Sequence, residues 1–211
     1  MIKAAVAVVA LAALGILFVR SAQNTRAEPY SVARERLSNW RLVAEPASSP
    51  SGMLLELRPP PELLGPLFSQ VFARSGQSLS GPVPAAMPLV LQSEFTGSMA
   101  AAFTPDALLA LARAAGVEQA TVAIHCLANR RVSEPGSTRD VYFLRLDVPG
   151  FDAFRQQVGQ KLREAGGGAS GYEPAALSPI LIVAATDANF SRWFPLKAGP
   201  DEDCLAPVTA Q

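Results

Sequence analysis

The stretch that decides the fold begins with Thr121–Ala128, TVAIHCLA, which is apolar and contains β-branched residues, as strands do. Asp140–Val148, DVYFLRLDV, alternates its side chains between two faces and predicts a second strand. Over Phe151–Leu162 the apolar residues change to helical spacing. Ile180–Ala185, ILIVAA, is a continuous apolar run, typical of a central strand covered on both faces. The order strand, strand, helix, strand predicts a sheet with a helix packed on it.

The first half of the chain repeats this order more loosely. Met53–Arg58 and Leu89–Phe95 have strand character, and the prolines of Pro59-Pro60-Pro61 between them suit the start of a helix. Thr104-Pro105-Asp106 predicts a further helix start, with a capping hydroxyl, and Gly116 predicts its end. We therefore predict an α+β fold with an antiparallel or mixed sheet, packed helices and an N-terminal apolar helix. The repeated order would suit two ferredoxin-like halves.

Changes in composition divide the chain into four predicted parts. These parts are a signal peptide or membrane anchor over residues 1–20, a linker with a short helix over 21–50, the α+β domain over 51–196, and a flexible tail over 197–211. The short helix is expected over Val32–Trp40. The tail is predicted to be flexible or loosely docked because it contains prolines and acids without any periodicity.

The N-terminal segment is the most specific signal in the chain. Lys3 precedes an unbroken apolar run over Ala4–Val19, which Arg20 closes. This pattern fits a signal peptide or a short anchor, and cleavage or retention stays open. Arginines after the segment would favour a cytoplasmic body by the positive-inside rule, whereas a signal peptide favours export. We expect an exported protein in the cell envelope, secreted or held at the periplasmic side of the inner membrane by residues 1–20.

The charge balance argues against a nucleic-acid partner. The 211 residues carry 18 Lys and Arg and 18 Asp and Glu, so the formal net charge is zero. Binding to the phosphate backbone needs clustered cations, which this composition does not supply. We expect no nucleic-acid partner, and a protein partner stays open.

The residues that catalysis or metal binding would use are scarce. His125 is the only histidine, and the two cysteines, Cys126 and Cys204, are far apart in sequence, so a structural zinc site is not expected. Gly166–Gly171 satisfies the spacing of a dinucleotide fingerprint, but it follows a helix where the fingerprint must open one. We predict no cofactor, no metal and no catalytic residue. Whether Cys126 and Cys204 form a disulfide or remain thiols stays open.

Five side chains are candidates for a cleft or a contact surface. His125 lies on a predicted strand, and Arg145 shares a strand face with Asp147. Arg130 and Arg131 fall in the predicted hairpin loop Asn129–Thr138, where solvation or an anion contact could explain them. Trp193, in the aromatic cluster Arg192–Leu196, could close the end of a core or contact a partner.

Three segments resemble the 2H phosphoesterase superfamily, the fold of RNA cyclic phosphodiesterases and 2′-5′ RNA ligase-like proteins. They are PLVLQSEF at Pro88–Phe95, DVYFLRL at Asp140–Leu146 leading into FDAFR at Phe151–Arg155, and SPILIV at Ser178–Val183. The resemblance implies two similar lobes, each with a strand that carries His-x-Thr or His-x-Ser.

The motif positions depart from that family. Its two histidines would fall near Pro88 and Ile180, and its hydroxyl residues near Val90 and Ile182, where this chain has apolar side chains. General acid and base catalysis needs a titratable group at both histidine positions. The resemblance therefore implies a relative without the family's catalytic activity.

We predict a non-catalytic α+β domain of the cell envelope, tethered or secreted, that acts through binding or interaction. The alternative is a divergent 2H-like phosphoesterase that acts on a cyclic phosphate or a nucleotide. The question of enzymatic activity is open, with the balance against it.

Overall fold

The computed structural model describes residues 29–46, 49–166, 172–198 and 203–211. The predicted signal peptide or anchor of residues 1–20 lies outside the described residues, as do residues 21–28, 47 and 48 of the predicted linker part and residues 167–171 of the glycine-rich loop. Within these four ranges, no helix has both the length and the apolar character that crossing a membrane requires. The described chain is an α+β fold built largely from antiparallel sheets, as the sequence predicts.

Nine strands form three sheets in the described part of the chain. The strands are β1 (Tyr30–Val32), β2 (Arg41–Ala44), β3 (Met53–Arg58), β4 (Met87–Leu91), β5 (Ala123–Glu134), β6 (Ser137–Asp147), β7 (Ile180–Ala185), β8 (Cys204–Ala206) and β9 (Val208–Ala210). The first sheet has the order β2-β3-β4, and the second has the order β7-β6-β5-β8, with all pairs antiparallel. The short strands β1 and β9 form a parallel pair.

The same residues include four α-helices. They are α1 (Leu64–Ser75), α2 (Ser98–Ala102), α3 (Pro105–Ala114) and α4 (Phe151–Glu164). The predicted helix starts and ends follow from local chemistry. The Thr104 hydroxyl accepts a hydrogen bond from the Ala107 amide at 3.2 Å, which caps α3 as predicted. At Gly150, before α4, a Cβ atom would lie 2.1 Å from the Ala115 carbonyl oxygen, so the chain there requires glycine.

Strand β6 separates two apolar clusters. Its residues Tyr142, Leu144 and Leu146 face the main core, which the helices and the first sheet share. Val141 and Phe143 face a smaller core on the other side. The predicted alternation of this strand is confirmed, and both faces of the second sheet are therefore covered by apolar side chains.

The hairpin between β5 and β6 is longer than the sequence predicts. The predicted loop over Asn129–Thr138 is wrong, because pairing continues to Glu134 opposite Ser137 and leaves a tight turn at Pro135 and Gly136. Gly136 has a φ of 83°, which the turn requires. The polar side chains that suggested a loop lie instead on an arm of the hairpin that is exposed or half-buried.

Strand β7 differs from its prediction in position. It lies at the edge of the second sheet instead of its centre, although all six of its residues are buried. Its outer side is covered by a short antiparallel bridge in which Ser80 and Ala185 exchange two backbone hydrogen bonds of 2.8 and 2.9 Å. The bridge and the neighbouring strand β4 explain why an edge strand has the composition of a buried one.

The two ends of the described chain pair with each other. β9 lies beside β1, with Tyr30 opposite Val208, and β8 lies beside β5. The prediction of a flexible tail is therefore wrong for residues 203–211. The predicted helix over Val32–Trp40 is wrong. Val32 ends strand β1, and Arg34–Leu37 forms a 3-10 turn. Strands of three residues are too short to show a period, and their hydrogen-bond partners are distant in sequence.

A buried guanidinium joins β4 to α4. Arg155 of α4 has only 1% of its surface exposed, and its Nη1 and Nη2 donate to the two carboxylate oxygens of Glu94 at 3.0 and 2.7 Å. Nη1 also donates to the carbonyl of Leu89, Nη2 to that of Glu173, and Nε to that of Pro174. These five hydrogen bonds use all five donors of the side chain.

The ring of Tyr172 completes the surroundings of Arg155. It lies under the guanidinium, 4.5 Å from ring centroid to the guanidinium carbon, and its hydroxyl donates to the Arg155 carbonyl at 3.2 Å. Burial raises the pKa of Tyr172, so the hydroxyl remains a neutral donor. One side chain therefore fixes the end of a strand, a helix and the segment that leads to β7.

We expect Arg155→Leu to lower the free energy of unfolding by about 3–5 kcal/mol, because it leaves the Glu94 carboxylate partly buried without its cation. Chemical denaturation measures this loss. The matched control is Arg163→Leu, at an exposed position of the same helix, which should stay within about 0.5 kcal/mol of the natural protein. Equal effects of the two substitutions would contradict the structural role of Arg155.

Candidate functional site

Trp193 belongs to the smaller core. It is 7% exposed and packs with Leu196 over the face of the second sheet that carries Val141 and Phe143. Its indole nitrogen has no hydrogen-bond partner within the ranges that the structure describes. Of the two roles considered for this residue, the structure gives it the core role.

His125 and Arg145 lie near a disulfide. His125 is exposed at a bulge of β5, between Ile124 and Cys126, and it lines neither of the two cavities described below. Arg145 is half-buried and opposite Cys126 on β6, with its Nη1 3.6 Å from the Cys204 sulfur. The bulge interrupts the strand alternation that the sequence suggests for His125.

The two cysteines are paired. The disulfide between Cys126 and Cys204 joins Cα atoms 5.8 Å apart and closes a sequence separation of 78 residues. It attaches β8 to the buried part of β5, so it fastens the C-terminal strands to the second sheet. The open question about these cysteines is thereby answered by the structure.

Arg130 and Arg131 form ion pairs on β5 and do not lie at a hairpin tip. Arg130 pairs with Asp203 and also donates to the Lys197 carbonyl at 2.7 Å, which binds the C-terminal segment to the sheet. Arg131 donates to both carboxylate oxygens of Asp140, at 2.9 and 3.2 Å. Burial alone raises the pKa of Asp140, but hydrogen bonds from Arg131 and Gln77 outweigh it and hold this pKa below its ordinary value.

Replacing both Cys126 and Cys204 with alanine should lower the free energy of unfolding by about 2–4 kcal/mol, because a long loop is no longer closed in the unfolded chain. Chemical denaturation of the variant and of the reduced natural protein should give matching midpoints. Midpoints that are unchanged by reduction would contradict the fastening role of this disulfide.

The cavity with the most distinctive lining lies between α1 and the segment before β4. We call it the proline groove; its volume is about 620 Å³. Its lining consists of Arg41, Arg58, Pro59, Pro60, Pro61, Leu64, Gly65, Phe68, Gly81, Pro82, Val83, Pro84, Ala85 and Val183. Ten of these fourteen residues are prolines or other apolar residues, counting five prolines and five among Leu, Phe, Val and Ala. The groove is therefore apolar along most of its length, with both charged residues contributed by β2 and β3.

Local sequence explains the walls of the proline groove. Pro59, Pro60 and Pro61 end β3 and open the turn that leads into α1, where a missing N–H costs nothing. The opposite wall contains a cis peptide bond before Pro84. A Cβ atom at Gly81 would lie 3.3 Å from the Phe68 ring, so glycine allows this wall to approach the helix closely.

The two arginines of the proline groove differ in their partners. They lie opposite each other on adjacent strands, an arrangement that is unfavourable for like charges unless one is compensated. Arg58 forms ion pairs with Glu45 and with Glu56, and Glu56 is 1% exposed. Burial raises the pKa of Glu56, and the hydrogen bond from Arg58 opposes that rise. Arg41 is exposed, and no acidic side chain of the described ranges forms an ion pair with it.

Exposed apolar side chains continue the surface of the proline groove. Val83, in one wall, is 96% exposed. Phe72 is 50% exposed and stacks on Phe68 one helical turn away, with ring centroids 6.1 Å apart. Large apolar side chains that remain in water beside a cavity are typical of binding surfaces.

A second cavity has a simpler lining. It has a volume of about 690 Å³ and lies between α3 and α4, where alanines such as Ala107, Ala110 and Ala114 leave space beside Lys161 and Glu164. Small side chains alone explain this space.

Over the described ranges no group of three or more His, Cys, Asp or Glu residues could hold a metal ion.

Comparison with protein-family models, with curated proteins and with solved structures finds no match to this chain.

The proline groove was not predicted from the sequence. Pro59-Pro60-Pro61 predicts only the start of a helix, and no local pattern indicates that α1 lies against a second proline-containing segment at Pro82 and Pro84. Five prolines close to one apolar helix face were the available signal.

Proposed function

We propose that this protein is a non-catalytic binding domain of the cell envelope and that it binds a small apolar ligand in the proline groove. One observation carries the proposal: a groove of about 620 Å³ has apolar walls and has its two charged side chains on neighbouring strands. Ligand pockets commonly have this volume, a mainly apolar lining and a few polar groups that orient the ligand.

Rigid walls favour binding in this groove. Proline has a fixed φ and little freedom to lose when a ligand orders the surface around it. Phe68 and Leu64 come from α1, and Val183 from the buried strand β7, so the remaining apolar lining includes side chains of regular elements. A preformed site binds more tightly because less conformational freedom is lost on binding.

The disulfide supports the proposed location. Disulfides persist in oxidising compartments, and cytosolic reductants would act on one that can be reached from water. Cys204 is exposed, although Cys126 is buried. The proposal includes attachment to the membrane through residues 1–20 and a further protein partner.

The alternative phosphoesterase function gains no support from the site. Pro88 and Ile180, near which the family's histidines would fall, are both buried and apolar, and so are Val90 and Ile182.

The two ferredoxin-like halves also stay a prediction. The units β3-α1-β4 and β6-α4-β7 each join two strands through a helix, and in both units the two strands are antiparallel neighbours.

A fluorescence titration with the uncharged probe N-phenyl-1-naphthylamine tests the proposed site. The natural protein should bind the probe saturably with one site. Gly65→Phe should weaken binding about tenfold or more, because a ring at this groove-lining position occupies the space of the probe. No atom lies within 4 Å of a Cβ built at Gly65, so the fold should tolerate the change.

Ala73→Phe is the matched control, because Ala73 is exposed on the same helix and lies outside the groove lining. This variant should bind the probe like the natural protein. No saturable binding by the natural protein, or equal loss in both variants, would contradict the proposed site.

A further inference from the structure

The chemistry of the proline groove restricts the body of its ligand. Five of the lining residues are prolines, which have no backbone N–H to donate. Apart from the two arginines, no lining side chain carries a hydrogen-bonding group. Polar groups along the length of a ligand would find no side-chain partner apart from these arginines, and each buried polar group without a partner costs about 1–3 kcal/mol. The body of the ligand is therefore expected to be apolar.

The charges restrict the other end of the ligand. Arg58 forms ion pairs with both Glu45 and Glu56, whereas no acidic side chain within the described ranges forms an ion pair with Arg41. A guanidinium binds a carboxylate or a phosphate through two parallel hydrogen bonds. The guanidinium of Arg41, which lines the groove without an acidic partner among the described residues, thus complements one anionic group on an apolar body.

We propose that the groove binds a free amphiphile that has a single anionic head group and an alkyl chain, with the head group at Arg41 and the chain between the two proline walls. This inference rests on the proposed function and names its ligand class. Phe72 extends the apolar surface beyond the groove, and a chain longer than the groove would cover it. A cavity of about 620 Å³ has room for one such molecule. The proposed occupant is therefore a single free amphiphile and not a bilayer surface.

The test compares dodecanoate with 1-dodecanol, which has the same chain length without the charge. Calorimetric titration of the purified protein below the micellar concentration should show that dodecanoate binds about tenfold or more tightly than 1-dodecanol. Arg41→Gln should abolish the difference by weakening dodecanoate binding alone. The control Arg163→Gln removes an exposed arginine of α4, outside the groove, and should leave the difference intact.

The outcomes separate this inference from the proposed function. If both dodecyl compounds bind equally and Gly65→Phe blocks both, the groove is a binding site and the proposed head-group contact is wrong. If neither compound binds and the uncharged naphthylamine probe does not bind either, the proposed function fails with it. Binding to vesicles of anionic phospholipid without binding of monomeric dodecanoate would overturn the choice of a free amphiphile. A concentration-dependent dimer that excludes dodecanoate would overturn it in favour of a second copy of the chain.

Discussion

The guanidinium of Arg155 is a positive charge that the fold keeps almost entirely from water, and its position is possible only because every donor has an acceptor. Removing one partner of a buried ion pair leaves the other charge unpaired, and the stability lost in this way is far larger than the stability that the pair adds over an apolar replacement. The arrangement therefore holds its elements closely together. It fixes the C-terminal side of β4 against α4. The segment before β4 forms one wall of the proline groove, and that wall is therefore attached to a strand with little freedom to shift.

The strongly periodic segments could be predicted from the sequence, and the reason is local. Each of β6 and α4 carries its own apolar face, so the spacing of side chains within one segment determines how it is buried. Strands β8 and β9 carry no such face. Their existence depends on hydrogen bonds to β5 and β1 and on a disulfide, all of which join residues far apart in sequence. The burial of Arg155 could not be predicted from α4 alone, because its partners come from other elements.

The candidate site shows the same limit more strongly. Sequence reasoning selected charged and aromatic residues such as His125, Arg130 and Trp193, since these types carry chemistry. In the structure the arginine has an ion-pair partner, the tryptophan is in a core, and the histidine is at a bulge outside both cavities. The groove instead uses prolines that mark segment ends. The strand register places Arg41 beside Arg58, and of these two only Arg58 forms an ion pair with a described acidic residue.

The central claim is that the proline groove is where this chain binds its ligand. Amide chemical shifts of the isotopically labelled protein, followed while dodecanoate is added, test it most directly. The account predicts that the largest changes fall within residues 58–68 and 81–85 and on Arg41, with the amides around His125 and Arg145 unchanged. Changes centred on His125 and Arg145, or on the alanine cavity between α3 and α4, would contradict it.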